Sequence, residues 1–194
     1  GDDVLYVGMS GGISGTAHAA ALAAEELREK YPRAKIMTID PYAASLGEGL
    51  QVLEAAELLR AGRSFEEVGD RILARRPHMC QFFTVDDLNH LKRGGRINAA
   101  TALFGTMLAI KPVMHVDDEG RLIPVSKARG RKASLTALVD RMEATAIDPA
   151  GQTVFISHGD CLEDAEFVAG EVRRRLGVET VHINYVGPVI GNHS

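Results

Sequence analysis

The 194-residue sequence predicts an α/β protein of two α/β domains. The first is a parallel-sheet domain and the second an α/β unit with a β-hairpin. Three observations predict this. Short apolar runs alternate with amphipathic stretches up to about residue 76, which is the signature of parallel strands with helices on their faces. The texture changes near residue 77, and two strand-like runs then flank the turn Asp117-Asp118-Glu119-Gly120, a hairpin signal. After residue 131 the alternation of helix and strand resumes.

The elements follow in order. Val4-Leu5-Tyr6-Val7 opens a buried strand over 4–9, and 16–30 reads as a helix with alanine and leucine inside and "EELREK" outside. A strand over 35–39 and a helix over 45–61 come next. Ser64 with Glu67 three residues on fits a capping box for a helix running to about Arg76. Phe82-Phe83-Thr84-Val85 reads as a strand. Asp86 suits the cap of a short helix ending at Gly94-Gly95. A helix rich in Ala, Leu and Met spans 97–109. After the hairpin come a helix over 131–146, a strand over 153–157, a helix over 163–176 and a strand over 179–186. The expected division is 1–80 and 81–194. Both ends read as cut, the first domain at its start and the second at its end.

Composition narrows the function classes. Apolar residues make up 45% and charged residues 25%, as in ordinary globular proteins. A net charge of −4 gives no global drive towards nucleic acid. Cys80 and Cys161 form neither a disulfide framework nor a zinc signature and read as two buried free thiols. No apolar run is long enough to span a bilayer and no signal peptide is evident, so the expected location is cytoplasmic.

The chemistry concentrates in "VGMSGGISGTAHAAALAAEEL", residues 7–27, where a strand runs through a Gly-rich turn into a helix. That arrangement seizes anions with backbone N–H groups. A nucleotide phosphate loop needs Gly-x-x-x-x-Gly-Lys-Ser/Thr, but Thr16 follows Gly15 and no lysine is near. The glycines at 8, 11, 12 and 15 are out of register for Gly-x-Gly-x-x-Gly. A small anion needs less: hydroxyls from Ser10, Ser14 and Thr16, and glycines that admit the ligand to the backbone. Spacing alone leaves open a plain helix cap. Arg93-Gly94-Gly95-Arg96 offers guanidiniums to an anion or to a helix end. His193 sits in the turn "IGNHS". Ser157-His158-Gly159-Asp160 reads as a hydrogen-bonded loop, since no Gly-x-Ser-x-Gly occurs. Lys127, Arg129, Arg131 and Lys132 form a basic cluster that is either a solvated face or a dock for an acidic partner or phosphate.

Taken together, "SGGISGTAHAA", "LNHLKRGGRI", "IKPVMHVDDEGRLIPVSKARGRKASL" and "YVGPVIGNH" resemble the DegV family of fatty-acid-binding proteins, over nearly the whole chain and in the right order. The resemblance implies a non-catalytic subunit with no cofactor and a long-chain fatty acid as ligand. It also implies a partner, an ATP-binding fatty acid kinase subunit that converts the presented carboxylate to an acyl phosphate for phospholipid synthesis. By the same resemblance the carboxylate contacts are Ser10, Gly11, Ser14, Arg96 and His193. Leu103, Phe104, Met107 and Leu108 are expected to line the acyl tunnel or to be plain core, and the basic cluster to dock the kinase. The chain departs from the family pattern in three places. It lacks the Thr-Ser-rich N-terminal head-group loop and the Gly-Pro-Gly after the histidine, and Gly11 stands where a second serine is frequent. The competing reading is a small phosphotransferase or hydrolase using Ser10 or Ser14.

Overall fold

The computed structural model describes residues 3–97 and 109–193. The chain divides into one unit of Gly1–Met79 with Asp117–Arg121, and another of Cys80–Val116 with Leu122–Ser194.

In the first unit, β1 (Val4–Val7) pairs in parallel with β2 (Ile36–Ile39), Val4 opposite Ile36 and Val7 opposite Ile39. The crossover is α1 (Thr16–Lys30), and α2 (Leu46–Arg60) and α3 (Phe65–Arg75) follow. The core is Ile39, Ala55, Val68 and Ile72, with Leu5, Val7, Met37 and Leu58 against it. Each large member contributes roughly 1.5–3 kcal/mol by leaving water. Gly69 lets α3 close on β2, because a Cβ there would lie 2.2 Å from Met37 Sδ. The capping box at α3 is present: Ser64 Oγ accepts from Glu67 N at 3.2 Å and the Glu67 carboxylate accepts from Ser64 N at 2.8 Å. α1 departs from expectation. Ala24 is its buried residue, while Leu22 and Leu27 stay exposed, because a helix pattern fixes which residues share a face but not whether that face is covered.

The second unit holds an antiparallel sheet in the order β3 (Phe82–Thr84), β4 (Ile110–Val116), β5 (Leu122–Arg129). The β4–β5 register slips between Val113 and Met114, which face Ser126 and Pro124, and Pro124 has no N–H to give the ladder. The short helix α4 is Asn89–Arg93. Asp87, not Asp86, serves its start, accepting from Asn89 N at 2.7 Å; Asp86 turns instead to Lys111 Nζ at 2.8 Å. After α5 (Arg131–Thr145), β6 (Thr153–His158) and β7 (Thr180–Tyr185) pair in parallel across α6 (Leu162–Leu176), and α7 (Pro188–Gly191) closes the described chain. One core gathers Leu88, Leu91, Ile97 and Met114, another Leu135, Val139, Val168, Val172 and Val178. Both cysteines are free, but Cys80 is exposed and Cys161 half-buried, contrary to the expected buried pair. The expected acyl-lining residues Leu103, Phe104, Met107 and Leu108 lie outside the described residues.

Candidate functional site

The Gly-rich loop between β1 and α1 is folded around Ser10, which is fully buried. Its N–H donates to Ala43 O at 2.9 Å, and its carbonyl accepts from Ile13 N at 3.0 Å and Ser14 N at 2.9 Å. Its hydroxyl donates to Gly120 O at 2.9 Å and accepts from Gly12 N at 3.2 Å. The hairpin tip is thus built into the loop. Two glycines make that approach feasible: a Cβ on Gly12 would lie 2.6 Å from Gly120 O, and one on Gly120, at φ +72, 1.8 Å from Ser10 Oγ.

The outer side of the loop meets a carboxylate of the chain itself. Gly11 N donates to Asp40 Oδ2 at 2.8 Å, and Tyr42 N to Asp40 Oδ1 at 3.0 Å. Arg76 braces the segment, with Nη1 donating to Asp40 O at 3.1 Å and its guanidinium 4.1 Å from the centre of the Tyr42 ring. Tyr42 and Ser45 hold φ of 51 and 53, a left-handed backbone that side-chain-bearing residues rarely adopt without external support. Ser14 Oγ lies 2.7 Å from Thr16 Oγ1 and accepts from Thr16 N at 3.3 Å. Gly15 stands at the cap position of α1, with no side-chain capping bond. The sequence places Gly120 in the hairpin turn but gives no sign of its contact with Ser10, and none of the role of Asp40. The only local signal for Asp40 was its place at the end of an apolar strand before a proline.

Arg96 and His193 both approach Gly94 in the second unit. Arg96 Nη1 donates to Gly94 O, and a Cβ on Gly94 would lie 3.0 Å from His193 Nδ1. The φ of +72 at Gly95 turns the chain there. His158 is buried, its Nδ1 accepting from Cys161 N at 3.2 Å and its ring 4.4 Å from that of Tyr185, which fits the hydrogen-bonded loop reading.

The basic cluster is chemically uneven. Lys127, Arg129 and Lys132 are exposed, and Lys132 Nζ lies 5.5 Å from the Phe167 ring centre. Arg131 is tied inward, with Nε on Asp164 Oδ2 at 2.7 Å and Nη1 3.8 Å from Asp86 Oδ1. The hydrogen bond from Lys111 holds the Asp86 carboxyl below the usual range, and the charges of Lys111 and Arg131 add to it. A cleft of ≈ 460 Å³ in the first unit is lined in part by Arg28, Lys35 and Glu66. Its cations are already paired: Arg28 binds Ile36 O at 2.9 and 2.7 Å, and Lys35 lies 2.6 Å from Glu66. Among the described residues no group of three or more His, Cys, Asp or Glu could hold a metal, and no helix is long and apolar enough to cross a membrane.

Residues 1–194 match the family model described as "Uncharacterised protein, DegV family". A DegV domain-containing protein of Clostridium perfringens is 44% identical over 194 residues, covering 100% of this chain and 67% of that protein. A DegV family protein of Thermus thermophilus, whose structure is described as fatty acid binding, is 36% identical with a TM-score of 0.79, over 99% of this chain and 67% of that one. The fatty acid kinase B3 protein of Streptococcus pneumoniae, solved with linoleic acid, shares the fold at a TM-score of 0.90 and 24% identity, over 98% of this chain and 67% of that one.

Proposed function

Because the chain belongs to the DegV family, we propose that it binds a long-chain fatty acid and presents the carboxylate to a separate ATP-binding kinase subunit, which forms the acyl phosphate. The observation that carries this reading is the match, over nearly all of the chain, to a fatty-acid-binding protein of the same fold at 36% identity. Affinity comes from the tail: at about 0.8 kcal/mol per buried methylene, a tail of about fifteen offers about 12 kcal/mol before ordering costs. Orientation comes from the head-group residues Ser10, Ser14, Arg96 and His193, while the N–H of Gly11 is held by Asp40 Oδ2. Ser10 spends its proton on Gly120 O, so contact with the ligand means exchanging a neutral acceptor for a charged one. The bond to the charged carboxylate, worth about 1.5–3 kcal/mol, is offset by the buried Gly120 carbonyl that loses its partner, so the head group sets orientation and the tail carries the affinity.

The same geometry favours a binding subunit over a phosphotransferase or hydrolase. A serine nucleophile needs a base to take its proton. Ser10 gives its proton to a carbonyl, and the hydroxyl of Ser14 faces that of Thr16. ATP must then come with the partner, in the cytoplasm. Native mass spectrometry of the protein purified from bacteria tests the reading, with a retained long-chain fatty acid as the expected mass. A protein that carries none and takes up none after delipidation overturns it, and acyl-phosphate formation without a kinase subunit promotes the enzyme alternative.

A further inference from the structure

We propose that Asp40 is a resident anion that closes the Gly-rich loop to free phosphate and so determines its specificity. This deepens the fatty-acid reading and rests on it only for what the loop is kept for. Strand, glycines and helix start make a loop that ordinarily welcomes phosphate. Its outward donor, Gly11 N, is instead held at 2.8 Å by Asp40 Oδ2, at an exposed position that a dissolved anion could reach. The second carboxylate oxygen is fixed by Tyr42 N, and Arg76 braces the peptide behind it, so the charge cannot easily swing aside. The fit also accounts for glycine at position 11, where a Cβ would lie 2.7 Å from Asp40 Oδ2 and any side chain would displace the carboxylate. A phosphate dianion would have to compete with an intramolecular ligand and meet its charge at contact range. A monocarboxylate on an acyl tail draws its affinity from the tail and does not need the N–H of Gly11.

The test follows the Gly11 amide resonance of the 15N-labelled 194-residue chain during titration with inorganic phosphate, with sodium chloride as the ionic-strength control. The wild type should show no saturable shift. Asp40→Ala, which frees both N–H groups, and Asp40→Asn, which removes the charge and keeps the shape, should each gain one. A saturable shift in the wild type overturns the proposal, and so does its absence in variants that are folded by circular dichroism. Loss of the fold in both variants overturns it too, since Asp40 would then be a structural staple. Fatty-acid retention by the wild type is measured separately, so failure of the lipid reading leaves the phosphate result standing.

Discussion

At the scale of single residues, Ser10 and Gly120 specify one another across 110 positions of sequence. The Gly120 carbonyl is buried and takes the Ser10 proton, so Ser10→Ala should cost about 1–3 kcal/mol of stability by leaving that acceptor unpaired. Ser10→Ala should also weaken fatty-acid binding by about as much, if the hydroxyl is the head-group donor. Gly120→Ala should be worse than an ordinary glycine change. The left-handed backbone alone costs about 1–2 kcal/mol, and the new methyl would sit 1.8 Å from Ser10 Oγ. Part of that clash is with the hydroxyl itself. Thermal unfolding of the double variant Ser10→Ala/Gly120→Ala should therefore show a loss smaller than the sum of the single losses. Strict additivity would mean that the two residues do not share the packing described above.

At the scale of elements, local chemistry that repeats along the chain was legible and choices made by distant partners were not. The capping box of α3 could be read residue by residue, because all its atoms come from four consecutive positions. Ser64→Ala should lower stability by about 1 kcal/mol, measured by denaturant unfolding, with an unchanged fold. The strand β1 and the β4–β5 hairpin were likewise readable from apolar period and turn residues. The start of α4 was not. Asp86 and Asp87 are equivalent in the sequence, and Lys111, 25 positions away, decides between them by drawing Asp86 off. The inward face of α1 failed for the same reason, since burial of Leu22 and Leu27 depends on what covers them. The Asp86 pair also makes a pH prediction. Its folded carboxyl titrates below the unfolded one, chiefly through the Lys111 hydrogen bond. The stability it adds is therefore present above the ordinary carboxylate range and lost as pH falls through the folded value. Asp86→Asn should flatten the acid limb of the stability profile and leave the slope above neutrality unchanged; an unaltered acid limb would show that the pair is not felt in solution.

At the scale of the whole molecule, the family motifs named the candidate site residues, but spacing could not reveal what surrounds them. Asp40 reaches Gly11 from 29 positions away, a partnership that no local pattern encodes. The chain is net acidic at −4, yet Lys127, Arg129, Arg131 and Lys132 crowd the end of β5 and the start of α5. In the docking role that the family resemblance implies for them, four cations placed together against the overall charge would steer an acidic or phosphate-bearing partner. They are not interchangeable in a test. Arg131→Glu would set a carboxylate against Asp164 and Asp86, so its effect would mix docking with the loss of an internal tie. Arg129 and Lys132 are exposed, so reversing them changes the field with little change in packing. Arg129→Glu/Lys132→Glu should slow acyl-phosphate formation in a reconstituted mixture of protein, fatty acid, ATP and kinase subunit, by roughly tenfold or more at low salt. Added salt should narrow the gap by slowing the wild type more than the variant, because screening removes the attraction that the variant already lacks. Fatty-acid retention should be unchanged. A variant that turns over like the wild type at low salt would return the cluster to the status of a solvated face, and one that loses its lipid would move the cluster from partner docking to ligand binding.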